Sequence, residues 1–136
     1  MSPSITALIV YAGWSLLLLI TLVSYRSVLT VAGKRAANSF RHTGEGDSEF
    51  VQRLVRAHAN CYENLPVFAA LVLAAAASGN SAVTDGLVWW VVAARVGQST
   101  VHLASTHNVA VIVRFHFFAA QLAILGYWAV LLLRKA

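Results

Sequence analysis

Four polar side chains near the middle of this 136-residue sequence are spaced so that one helix face would carry them all. Arg53, Arg56, Asn60 and Glu63 follow one another at intervals of three, four and three residues. At about 100° per helical residue, they gather within roughly a quarter-turn. His58 points the other way. Further along, Arg95, Gln98, Ser99 and His102 share a second face, and Arg114, Phe118 and Gln121 a third. Each stripe offers an arginine beside uncharged hydrogen-bonding groups. If the three converge, they form a positively biased polar chamber holding one buried carboxylate, Glu63. Arginine pairs a carboxylate through two parallel hydrogen bonds, and Glu63 can hold an ammonium. Asn60, Gln98 and His102 can satisfy amides. A small zwitterion with excess negative charge matches this set, such as a tripeptide with two carboxylates and one amine.

The elements that must position these groups follow from composition. The chain is 59% hydrophobic and only 11% charged, against about a quarter charged in a soluble domain. It cannot clothe a water-facing surface, and its natural solvent is lipid. Ionisable groups at lipid depth are costly, so the stripes are expected to face the bundle. The net charge of +5 comes from scattered basic residues. That argues against nucleic acid and for an anionic leaflet or small anionic ligand. Cys61 is the one cysteine and cannot form an intrachain disulfide. The absence of metal-ligand spacing predicts no metal site.

About 20 apolar residues cross the hydrocarbon layer. The pattern predicts an all-α, integral membrane four-helix bundle, one domain over residues 1–136, with helices at about 5–26, 49–77, 83–107 and 109–133. Residues 1–25 carry no charge, unlike a signal peptide's basic start, so the first helix is read as a retained span. A polar loop covers about 30–48, and either Asp47 or Ser48 is a candidate N-cap for the second helix. Pro66 is expected to kink that helix without ending it. The four tryptophans read as interface anchors or packing. Arg26, Lys34, Arg35, Arg41, Arg53 and Arg56 flank the first loop, whereas the turn near Gly79 has no Lys or Arg. The positive-inside rule therefore puts the first loop in the cytoplasm and both termini across the membrane.

The segment Arg53-Leu-Val-Arg56-Ala-His58-Ala-Asn60-Cys-Tyr-Glu63-Asn-Leu-Pro66-Val-Phe68 resembles the MAPEG family, the membrane-associated proteins in eicosanoid and glutathione metabolism. Its pattern R-A-H/Q-x-N-x-x-E-x-x-P-x-F is specific in combination. The similarity spans the chain in length, helix count and placement of polar residues. Arg95-Val-Gly-Gln98-Ser99-Thr-Val-His102, with Arg114 and Gln121, looks like a bacterial branch, which implies the bacterial inner membrane.

The resemblance implies a homotrimer that binds glutathione as co-substrate between subunits, among membrane lipids. It implies that Arg56, Asn60 and Glu63 contact glutathione, and that Arg95 and His102 line the same site. Arg53 and Gln98 join this binding set from their stripes, although Arg53 can equally snorkel to phosphates. The implied activity is a transferase or peroxidase that activates the thiol against a lipophilic electrophile or hydroperoxide. Only the thiolate attacks, and a free thiol has a pKa near 8.5. Arg114 matches, by order along the chain, the arginine near the sulfur, with Ser99 or His102 as possible donors. The chain departs from the animal enzymes at Gln98, where they have Tyr or His, and at His102, where they have Tyr. Two competing readings are a non-catalytic membrane binding or scaffold protein and an arginine-lined conduit for small anions.

Overall fold

Ser2 and Pro3 start the first helix. The Ser2 hydroxyl accepts from the Ile5 amide, and Pro3 stands in the first turn, where a missing N–H costs nothing. This computed structural model describes residues 1–135. It consists of α1 (Pro3–Val31), a 3-10 turn (Ala37–Ser39), α2 (Glu49–Ala77), a single-turn α3 (Ala82–Asp85), α4 (Val88–Ala104) and α5 (Asn108–Leu133). The fold is all-α, with no strand among the described residues.

Two helices end by the same device. After α1, Gly33 takes φ 67° and the Lys34 amide reaches back to the Leu29 carbonyl. After α2, Gly79 takes φ 71° and the Asn80 amide reaches the Ala75 carbonyl. Glycine adopts this left-handed geometry without a Cβ clash, which lets the chain satisfy its last carbonyls. Helix α1 thus runs past the expected end at Arg26, because nothing before Gly33 stops it.

Helices α1, α2 and α5 are long and apolar enough to cross a membrane. Their outer faces expose Leu16, Leu17, Ile20, Ile112 and Leu122, which suits lipid. This is a membrane protein, a helical bundle built in that solvent. Helix α2 continues through Pro66. The expected third span is divided: α4 has 17 residues, roughly 26 Å at 1.5 Å per residue. The break follows Asp85 and includes Gly86, a weak helix former. Asp85 Oδ1 instead accepts from the Ser4 amide at 3.0 Å and the Ser4 hydroxyl at 2.6 Å. An acid there complements the positive end of the α1 dipole.

The core has two clusters. Near the α1 N-terminus, Tyr11 stacks on Phe68 at 5.1 Å, and Phe68 meets the fully buried Trp128 at 6.3 Å. Trp128 is therefore a packing residue, while Trp89 and Trp90 lie exposed. Near the loop, Leu18, Leu22, Val51, Leu54 and Cys61 pack together.

The loop between α1 and α2 is built on Asp47, whose side chain is 0% exposed. Arg26 reaches it at 3.2 Å, and Arg35 pairs with its other oxygen. Phe40 lies under both guanidinium groups, at 5.3 and 4.7 Å. Ser48, the other candidate, caps α2 by accepting from the Val51 amide.

Helices α4 and α5 approach closely at Gly97. A Cβ there would stand 3.0 Å from the Phe117 ring. Gly97→Ala is expected to push that ring away and cost about 1 to 2 kcal/mol of stability, as overpacking does. Thermal unfolding in detergent checks this, and an unchanged or raised midpoint would contradict it.

Candidate functional site

Residues on α2, α4 and α5 build the candidate site. Asn60, Gln98, Val111, Arg114, Phe115 and Phe118 line a cavity of about 220 Å³. A second cavity of about 280 Å³ is lined by Glu49, Gln52, Arg53, Arg56 and Thr106. Arg56 in one and Asn60 in the other are four residues apart, about one helical turn on one face. Each by itself lies just below the range of small-ligand pockets, roughly 300 to 1,000 Å³.

Arg114 is half-buried, and its Nε is buried with no hydrogen-bond partner among the described residues. Gln98 is held by Gln121, whose Nε2 donates to Gln98 Oε1 at 3.0 Å. Asn60 Nδ2 lies 3.4 Å from His102 Nδ1. His102 is buried, and its ring turns to this partner without lining the cavity.

Arg95 is 1% exposed. Its Nη1 donates to the Asn60 carbonyl at 3.0 Å, and its guanidinium stands 5.7 Å from the Tyr11 ring centroid. Its Nε and Nη2 are buried without partners among the described residues. Arg95 thus sits behind the cavity wall and holds the α2 backbone that presents Asn60.

The structure shows where four of the expected site residues lie. Ser99 does not face the cavity: its hydroxyl donates to the Arg95 carbonyl at 2.9 Å and lies 3.3 Å from Cys61 Sγ. A Ser or Thr hydroxyl in a helix often bonds the carbonyl one turn back, and here that turns it into the α2–α4 contact. Arg53 is tied down as well, its Nε donating to the Leu103 carbonyl at 2.9 Å, near the α4 C-terminus. Such orphan carbonyls attract arginine. The α2 stripe does not turn wholly inward. Arg56 and Glu63 are exposed on the single chain, because the small or apolar Val51, Leu54, Ala57 and Cys61 take the inner face.

Sequence reasoning missed several groups, among them Val111 beside the cavity and Glu49, Gln52 and Thr106 in the second one. Phe115 lines the cavity, and Asn60 presents a backbone carbonyl as well as its amide. Phe115 stood next to Arg114 as a visible signal, whereas a carbonyl's role leaves no trace in residue type. No group of three or more His, Cys, Asp or Glu that could hold a metal occurs among the described residues.

In comparisons with known proteins, the model of the MAPEG family matches residues 4–134. No curated protein and no solved structure matches the chain.

Proposed function

This chain belongs to the MAPEG family, and we propose that it is a membrane-embedded, glutathione-dependent transferase or peroxidase that works as a homotrimer. The observation that carries this reading is the cavity where Asn60, Gln98 and Arg114 meet beside Phe115 and Phe118. Its polar groups can hold a thiol-bearing peptide, and its phenyl rings suit a lipophilic electrophile arriving from the bilayer.

The chemistry assigned to it is short. The glutathione thiol gives its proton to water, and the Arg114 guanidinium favours the thiolate by charge. The sulfur then bonds to the electrophilic carbon, and the leaving group departs with its electron pair. With a hydroperoxide, the thiolate sulfur bonds to the terminal oxygen and becomes a sulfenic acid, the O–O bond breaks, and the departing alkoxide takes a proton from water to leave as the alcohol. A second glutathione thiol then condenses with the sulfenic acid to give the disulfide and water.

Arg56 and Glu63 support the trimer. A lone exposed carboxylate and guanidinium on a spanning helix are costly in lipid, and a neighbouring protomer would cover them. In this reading the Lys/Arg-rich α1–α2 loop lies in the cytoplasm and the membrane is the bacterial inner membrane.

Calorimetric titration of glutathione into the detergent-solubilised protein tests the proposal, alongside the rise in thiolate absorbance on mixing. Absence of both signals sinks it. In Glu63→Gln the ligand ammonium loses its counter-charge, so affinity is expected to fall at least about tenfold. Unchanged affinity would remove Glu63 from the site. A second reading, a non-catalytic binding protein, draws on His102, which puts no aromatic hydroxyl where the resemblance expects a tyrosine. It expects glutathione binding without conjugation of a chlorinated nitrobenzene.

A further inference from the structure

The partners of Gln121 determine which way its amide points. Its Nε2 donates to the Phe117 carbonyl at 2.9 Å and to Gln98 Oε1 at 3.0 Å. The two ends of a side-chain amide have nearly the same shape, so neighbours must tell them apart. A backbone carbonyl only accepts, so the Gln121 atom beside Phe117 is the nitrogen. That same nitrogen faces Gln98, so Gln98 must turn its oxygen to it.

The consequence falls on the cavity. With its oxygen engaged by Gln121, Gln98 offers the cavity its amide nitrogen, a donor. Arg114, which lines the same cavity, is donor-only, and its buried Nε has no partner among the described residues. Both glutamines are buried, at 6% and 2% exposure, so water competes little for the pair. The close approach of Phe117 to Gly97 holds the α4–α5 spacing that the pair requires.

We propose that Gln121 is a positioning residue: through Gln98 it makes the Arg114 cavity donor-lined, so the cavity selects a ligand whose sulfur group is anionic over the neutral counterpart. This rests on the glutathione reading above and adds to it the residue that sets the preference for an anionic sulfur. A thioether at the same point is a weak acceptor and gains little from two donors.

The test compares glutathione sulfonate with S-methylglutathione by calorimetry on the full chain in detergent. In the unaltered protein the sulfonate is expected to bind at least about tenfold more tightly, as charge-assisted bonds allow. Gln121→Leu and Gln121→Met each remove the donor without adding charge, so Gln98 is freed to turn either its oxygen or its nitrogen toward the cavity. The sulfonate preference should then fall about threefold in both, with S-methylglutathione binding within about twofold of its original value. An equal loss for both ligands would indicate a merely structural role and overturn the proposal. So would an unchanged preference in both variants. If the unaltered protein binds neither ligand, the glutathione reading fails and this inference with it; binding with unchanged preference in the variants sinks this inference alone.

Discussion

Arg114→Ala is expected to lower kcat/KM for glutathione conjugation by about 100-fold or more, with S-methylglutathione binding changed only a few-fold. The scale is that of removing one preorganised donor from a developing charge, about 10²- to 10³-fold. Two features make Arg114 the group to lose. It lines the cavity with Asn60 and Gln98, and its Nε has no partner among the described residues. A guanidinium already committed to a carboxylate would have less field to give. Arg114→Lys keeps the charge but loses the planar fork, so it should recover part of the rate. Steady-state kinetics with varied glutathione separates the outcomes. A loss confined to KM would make Arg114 a binding residue, and an unaltered rate would remove it from the chemistry.

The largest effect on stability is expected at Asp47. Its carboxylate is enclosed by Arg26 and Arg35, and its backbone carbonyl accepts from Gln52 Nε2 at 2.9 Å. Asp47→Ala leaves two partly buried arginines without their counter-charge, with only the Arg41, Gly46 and Ser39 carbonyls still accepting from them. Breaking such a pair costs about 3 kcal/mol or more. Because the loop lies outside the helices, the loss should appear as local opening. At 1.4 kcal/mol per tenfold, trypsin should cut after Lys34, Arg35 or Arg41 roughly 100 times faster, provided opening equilibrates before cleavage. Arg41 pairs with Glu45 at 2.5 Å, but both side chains are more than half exposed, so that pair should contribute little. Unchanged cleavage in Asp47→Ala would show that Phe40 packing alone holds the loop.

Much of the fold was legible because lipid imposes a simple rule. Long apolar runs at α1, α2 and α5 could be nothing but buried or spanning helices, and Gly79 marked a helix end. The third helix was misread at its start. Asp85 and Gly86 resembled the beginning of a span, but Asp85 is drawn to the amide and hydroxyl of Ser4, 81 residues away. The site was legible in residue type and only partly in direction. Helical periodicity put Arg53, Arg56, Asn60 and Glu63 together, yet it could not say which side of their helix met the bundle. Ser99 shared a face with Gln98, but one turn of backbone captured its hydroxyl.

Residue order alone determined the solvent, the helical class, the family and the set of polar groups, since these depend on local hydrophobicity and on spacing along one chain. Tertiary packing decided which of those groups share a space. It turned Ser99 toward Cys61, tied Arg53 to the end of α4, left Arg56 and Glu63 on the outside, and set Gln121 against Gln98. A helix face has an orientation only relative to its neighbours. The contacts that orient it join residues dozens of positions apart, and no local spacing encodes them.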